Sequence, residues 1–388
     1  MMVCVNLPIS GRSIERYVLA PPSRYPRARA PSKSRVVYAA AHVVADPLAM
    51  TEPWRHSAVD WEATLAFRRH LWGLGFKIAE AMDTSQRGMG LDWSAAAELI
   101  ARSLSEAKLI PGADLACGAG TDQLDPTKAK SLDDIISAYE EQISHVENHG
   151  GRVIVMASRA LCRVARTPDD YLFVYDRLIR QCRGKVILHW LGDMFDPELA
   201  GYWGSRTFAS AQRTVLTLIG EHAAKIDGIK ISLLDADKEI EMRRKLPAGV
   251  RMYSGDDFNY PELIAGDEQG YSDALLGIFD PIAPAAAAAF ARLDAGDPHG
   301  FHEIMSPTMT LSRRLFEAPT QYYKSGVVFL AWLNGHQSHF RMLGGAEAAR
   351  GILHYADLFR LADKAGLFVE PELAAHRMSN LCALNGVS

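Results

Sequence analysis

The sequence predicts an α/β fold: a (β/α)8 barrel of the TIM type with an N-terminal arm and a C-terminal helical extension. Three observations lead there. From Ser34 onward, short apolar runs alternate with stretches of helical period, and the runs recur roughly every 25–40 residues. Eight such runs can be counted, the number that closes a barrel. No G-x-G-x-x-G follows the first of them, so the phosphate turn of a dinucleotide-binding open sheet is missing. This reading assigns residues 1–34 to the arm, 35–290 to the barrel and 291–388 to the extension.

The arm is rich in Pro8, Pro21, Pro22, Pro26 and Pro31, with Arg27, Arg29, Lys33 and Arg35 among them, which disfavours helix. Its alternating pieces 3–5 and 17–19, separated by Ser10-Gly11, are expected to pair as a hairpin. The barrel strands are expected at 36–44, 76–81, 113–117, 153–157, 186–190, 228–232, 250–253 and 274–279. Helices are expected between them at 61–74, 94–107, 132–148, 169–181, 209–225, 236–245 and 261–265. Gly75, Gly150-Gly151, Gly184, Gly228 and Gly249 are read as the ends of helices returning to strands. After Pro284 the alternation stops, and 285–293, 298–317, 322–333 and 345–365 read as consecutive helices. Their aromatics (Phe301, Phe316, Tyr322, Tyr323, Phe329, Trp332, Phe340) are expected in core and interface contacts.

Composition narrows the function. The 388 residues are 48% hydrophobic and 23% charged, within the range of globular proteins. Lys and Arg number 42 against 46 Asp and Glu, a formal charge of -4, so no basic field points to nucleic acid. The longest apolar run, 282–291, contains Pro284 and is too short to span a bilayer. Cys4, Cys117, Cys162, Cys182 and Cys382 lack C-x-x-C spacing and read as reduced thiols. The first ten residues lack the basic start and apolar core of a signal peptide. A cytoplasmic enzyme acting on a small molecule is the expectation, with neither a nucleic-acid nor a membrane partner.

Lys230 is the most informative residue. In Asp227-Gly228-Ile229-Lys230-Ile231-Ser232, alternation sends Ile229 and Ile231 toward the helices and Lys230 into the lumen. Desolvation there disfavours the ammonium, and a neutral amine can attack a carbonyl carbon to form a Schiff base. A structural ion pair is the competing reading of the same residue. On the preceding strand, Val186-Ile187-Leu188-His189-Trp190 puts His189 on the same face as Ile187, where an imidazole beside the lysine can move protons. The other strand ends are polar as well: His42 and Asp46, Glu80 and Asp83, Asp122 in Cys117-Gly118-Ala119-Gly120-Thr121-Asp122, Ser158-Arg159, and Ser254-Gly255-Asp256-Asp257. Together they place carboxylates and hydroxyls at one mouth, as hydroxylated substrates require.

These motifs resemble the dihydrodipicolinate synthase / N-acetylneuraminate lyase family of class I aldolase barrels, and within it the DUF993 proteins. The resemblance rests on Ala39-Ala40-Ala41-His42-Val43-Val44-Ala45-Asp46-Pro47, Ala58-Val59-Asp60, Leu74-Gly75-Phe76, Gly228-Ile229-Lys230 and Ser254-Gly255-Asp256-Asp257. It implies that Lys230 forms a Schiff base with a 2-oxo acid, while His189, from the residue reading alone, is expected as the general acid and base. It further implies that Thr84 and Ser85 bind the carboxylate or carbonyl oxygen; the polar strand ends add Asp83, Asp122 and Asp256 as expected binders of hydroxyls, with His42 in the substrate site. Such chemistry needs no cofactor and no metal, since the iminium is itself the electron sink. A homo-oligomer is implied both by the resemblance and by the aromatic-rich C-terminal helices. Two departures shape the expectation: His189-Trp190-Leu191-Gly192 stands where the family carries a catalytic tyrosine, and the arginine that follows it is absent. A lyase or aldolase for a 2-oxo acid or keto-sugar derivative, outside lysine biosynthesis, is therefore expected. Two alternatives remain open at this point. One is a metal-dependent sugar isomerase or epimerase using His42, Glu80, Asp122, His189 and Asp256. The other is an inactive ligand-binding barrel.

Overall fold

The structure is a computed structural model that describes residues 2–10, 13–26, 29–50, 52–82 and 86–387. Along the chain, strands β1 (Cys4–Ile9) and β2 (Ser13–Val18) are followed by β3 (Val37–Ala39), helix α1 (Trp61–Gly73), β4 (Lys77–Glu80) and α2 (Trp93–Ala107). Next come β5 (Leu115–Ala119), α3 (Leu132–Asn148), β6 (Arg152–Val155), α4 (Arg159–Val164), α5 (Pro168–Gln181), β7 (Val186–Leu191) and α6 (Phe208–His222). The barrel ends with β8 (Ile226–Ser232), α7 (Ala236–Lys245), β9 (Arg251–Ser254), α8 (Tyr260–Ala265) and β10 (Asp273–Leu276). Five helices follow: α9 (Ala283–Asp294), α10 (Pro298–Leu315), α11 (Lys324–Leu333), α12 (Ile352–Lys364) and α13 (Pro371–Leu384). No described helix is long and apolar enough to cross a membrane.

The chain forms two compact units. One, Arg35–Ala41 with Lys77–Gly277, contains all eight strands of a closed barrel in the order β10-β3-β4-β5-β6-β7-β8-β9, every neighbouring pair parallel. The predicted (β/α)8 barrel is present, and each predicted strand overlaps an observed one. The sequence encodes it through buried apolar strands and through capped helices. Asp92 and Asp235 each accept a backbone N–H at a helix start, and Ser131 with Asp134 forms a reciprocal capping box. The barrel interior is filled by a cluster that includes Tyr38, Ala79, Met82, Ala116, Ile154, Met156, Ile187, Tyr253 and Leu275. Toward the N-terminal ends of the strands, Tyr38 and Tyr253 meet edge to face at 5.8 Å, and the Tyr253 hydroxyl donates to Asp227 Oδ2 at 2.6 Å. That end of the tube is filled with side chains, so chemistry is left to the other end.

The second unit comprises Met1–Ser34, His42–Phe76 and Ile278–Ser388. It carries the predicted hairpin, with Cys4 opposite Val18 and Val5 opposite Tyr17, and the predicted C-terminal helices. Phe301, Phe316 and Phe329 are wholly buried there, and Tyr323 and Trp332 nearly so. These rings are packed in this unit's own core, whereas Tyr322 and Phe340 of the same set are only partly buried.

Three expectations need correction. The first strand stops at Ala39 rather than continuing to residue 44; beyond it, Val44 and Asp46 bond to Asp60 and Ala58 as part of the second unit. The predicted helix 345–365 begins instead with 3-10 turns over Leu343–Ala349, because Gly344 and Gly345 adopt left-handed φ of 68° and 67°; the α-helix proper is α12. Gly228 does not end a helix but lies within β8, where a Cβ would come within 2.6 Å of Arg251 O and 2.7 Å of the Tyr253 ring. Helices α4 and α13 lie where no helix was predicted.

Candidate active site

Lys230 and His189 stand side by side. They are Cα partners in the register of β7 with β8, and Lys230 is likewise partnered with Tyr253 on β9, a member of the lumen cluster. Register partners on neighbouring strands point to the same face, so both side chains enter the barrel. Lys230 retains 7% of its surface exposed, and its Nζ lies 4.0 Å from Met82 Sδ. Gly255 on the neighbouring segment makes room for it: a Cβ there would lie 2.8 Å from Lys230 Cε and 2.4 Å from Ser232 Oγ.

His189 is 2% exposed, with Nε2 3.4 Å from Ser232 Oγ, and Nδ1 is buried without a hydrogen-bond partner among the described residues. Burial, reinforced by the charge of Lys230, holds its pKa well below the usual histidine value. The imidazole is therefore neutral in neutral solution and presents a buried ring nitrogen with no partner among the described residues. An orphaned polar atom of this kind is costly in a purely structural site.

The remaining predicted residues have different surroundings. Asp122 receives Arg87 Nε at 3.1 Å, Arg87 Nη2, and Gln142 Nε2 at 3.0 Å. Burial opposes ionisation of its carboxyl, but the Arg87 guanidinium and these hydrogen bonds hold it below the usual carboxylate range. Arg87 also donates to the carbonyls of Ala81 (2.7 Å) and Gly118 (3.2 Å), clamping the ends of β4 and β5. Asp256 is buried, and its carboxylate accepts from Phe258 N at 2.8 Å, Asn259 N at 3.0 Å and Asn259 Nδ2 at 2.8 Å. It is thus occupied in shaping the start of α8. Asp83, Thr84 and Ser85 lie outside the described residues.

His42 belongs to the second unit. Its Nδ1 and backbone N meet Asp280 Oδ2 at 2.8 and 2.7 Å, and its Nε2 is buried without a partner among the described residues. Glu80 is buried and accepts from Ala81 N and Ser103 Oγ. Among the described residues no three His, Cys, Asp or Glu side chains gather as metal donors. The set His42, Glu80, Asp122, His189 and Asp256 is not brought together as such a centre.

Sequence reasoning missed Arg87 and Gln142. Gln142 left a signal, a polar residue on the apolar face of α3 between Tyr139 and Ile143, where burial demands a partner. Arg87, in a loop, left none.

Comparison with known proteins adds the following. The family model described as "Protein of unknown function (DUF993)" matches residues 5–387. No curated protein matches the sequence. Among solved structures, dihydrodipicolinate synthase from Aquifex aeolicus superposes with a TM-score of 0.65 and 14% identity, over 87% of this chain and 99% of that one. The enzyme of the same name from Acinetobacter baumannii, solved with pyruvate, gives 0.62 and 15%, over 87% and 100%. N-acetylneuraminate lyase from Proteus mirabilis gives 0.63 and 14%, over 86% and 99%. The fold is therefore shared with these barrels; the identity is too low to carry their activities across.

Proposed function

This chain belongs to the DUF993 family, and on that premise we propose that it is a class I lyase or aldolase that forms a Schiff base between Lys230 and a 2-oxo acid or keto-sugar derivative. The observation that carries the reading is the adjacency of Lys230 and His189 in the barrel lumen, one an amine and the other a neutral imidazole with an unpartnered Nδ1. Support also comes from the fold shared with solved barrels that include a lyase and two synthases, one of them solved with pyruvate.

In this mechanism Lys230 gives its ammonium proton to His189 and attacks the carbonyl carbon as the amine so freed, which leaves that proton for the carbinolamine. The resulting carbinolamine accepts a proton on its hydroxyl and expels water, leaving an iminium. Cleavage of the bond between the carbons α and β to the iminium sends its electron pair into the iminium as an enamine, while the hydroxyl on the β carbon loses its proton and that carbon departs as an aldehyde. Protonation of the enamine and hydrolysis release the second product and restore the amine. His189, kept neutral by burial and by the nearby ammonium, is the acceptor for the hydroxyl proton and the donor that returns it. The missing tyrosine of the resembling family is replaced in this role by His189. Thr84, Ser85 and Asp83 belong to the same proposal as binders of the carboxylate and nearby oxygens.

The test is borohydride trapping across a panel of 2-oxo acids and keto sugars, followed by peptide mass spectrometry. A stable adduct on Lys230, absent in Lys230→Met, is expected. Turnover of a substrate without any adduct would refute the mechanism.

A further inference from the structure

A cavity of about 240 Å3 opens beside the C-terminal ends of β5 and β6, lined among others by Thr121, Asp122, Met156, Ser158, Arg159 and Asp196. Its polar lining is fixed from behind. Gln142, wholly buried, donates to Asp122 and accepts from Gly120 N at 2.7 Å. Asp196 holds Arg159 Nε at 2.6 Å, Thr121 Oγ1 and Ser158 Oγ are 2.6 Å apart, and Ser158 N donates to the Tyr202 hydroxyl at 3.1 Å. Supporting groups of this kind are what keep a binding constellation rigid.

The charges of the lining cancel in pairs, Arg87 with Asp122 and Arg159 with Asp196. Two charged groups reach the space: the Asp122 carboxylate, 23% exposed and held ionised, and the Arg159 guanidinium, 39% exposed, whose Nη groups have no partner among the described residues. A hydroxyl both donates and accepts, so a chain of hydroxyls is matched by an open carboxylate facing an open guanidinium with hydroxyls between. A second carboxylate on the ligand could reach Arg159 only with Asp122 and Asp196 beside it, so the like-charge penalty offsets that attraction, whereas a hydroxyl carries no such cost. Leu124, Pro126 and Met156 complete the wall with apolar surface for carbon.

Met156 also belongs to the lumen cluster with Met82, whose sulfur touches Lys230 Nζ. Gly118 lets the two methionines in, since a Cβ there would lie 2.7 Å from Met156 Sδ and 2.8 Å from Met82 Cα. Cavity and reaction centre thus share this layer of side chains. We infer that the cavity is a specificity subsite for the uncharged, polyhydroxylated tail of the substrate, an assignment that rests on the Schiff-base reading of Lys230.

The test separates the two. Xylitol, a bare polyol with no carbonyl, is titrated by saturation-transfer NMR against the full-length protein, Lys230→Met, Thr121→Val and Arg159→Met. Saturation transfer to xylitol is expected with the full-length protein and with Lys230→Met. The dissociation constant should rise about threefold in Thr121→Val and about tenfold in Arg159→Met, the loss of a neutral and of a charge-assisted hydrogen bond. The Arg159 side chain is 39% exposed whereas Thr121 is buried, so Arg159→Met, with its folding checked by circular dichroism, keeps the test decisive if Thr121→Val misfolds. Absence of transfer to the full-length protein, or equal binding by Arg159→Met, overturns the subsite whether or not Lys230 traps a carbonyl. Polyol binding that depends on Arg159 in a protein whose Lys230 traps nothing upholds the cavity as a polyol site and removes only the lysine's role.

Discussion

His189 in the barrel unit and His42 in the helical unit are both buried, and each has one ring nitrogen without a partner among the described residues, yet their neighbours carry opposite charge. His42 is bonded twice to Asp280, through its ring and its backbone. Burial alone would raise the Asp280 carboxyl, but His42 and Lys324 bring it below the usual carboxylate range. His189 faces an ammonium and is driven toward the neutral form by burial and by that charge. A histidine hydrogen-bonded to a carboxylate through ring and backbone is held in place, whereas one set against a cation keeps its lone pair available. The identity of the residue says little; the sign of the neighbouring charge separates a structural pair from a candidate proton carrier.

The contrast breaks most visibly in turnover. Once a substrate is in hand, His189→Gln should lower kcat by about 10²–10⁴ while shifting the free energy of unfolding by no more than about 1 kcal/mol. A loss of turnover matched by a comparable loss of stability would make His189 an ordinary core residue. The partner experiment in the helical unit reverses the pattern. Asp280→Asn leaves buried groups without their counter-charge and should destabilise the protein by about 3–5 kcal/mol in urea titrations. A cost below about 1 kcal/mol would mean the pair carries no structural load.

A smaller effect sharpens the same comparison through pH. His336, in the helical unit, is pushed down to about 3, by burial first and then by the charges of His70 and His42. Its folded value lies below the unfolded one of about 6.5, so its contribution is complete above pH 6.5 and is lost as pH falls toward the folded value. Between pH 6.5 and 5 the unfolded chain takes up a proton that the folded protein refuses, a loss of about 2 kcal/mol. His336→Phe should flatten that part of the stability profile; an unchanged slope would show that His336 is not the group responsible.

Much of the barrel was legible because its signal is local. Each strand is a short apolar run bounded by glycine or a capping residue, and the Lys230 face follows from two-residue alternation alone. What stayed hidden was set by packing across the chain. The strand from Val36 reads as nine residues because Ala39 to Val44 is apolar but for His42, yet Val44 and Asp46 find backbone partners in another unit. Asp256 is expected at the substrate site, and its carboxylate also accepts from Phe258 N and Asn259 N of its own following loop, a turn habit of aspartate that strand-end position alone does not reveal. Arg87 was invisible for the opposite reason: nothing near it in sequence announces that Asp122, Ala81, Gly118 and Gln142 will converge on its guanidinium.

The most direct measurement is the intact and peptide mass of the protein after incubation with pyruvate and sodium borohydride. One site per chain should gain the mass of a reduced pyruvate imine, the modified peptide should contain Lys230, and His189→Gln should be labelled more slowly. Modification spread over surface lysines, with the peptide carrying Lys230 unlabelled by pyruvate and by every longer 2-oxo acid or keto sugar, would contradict it.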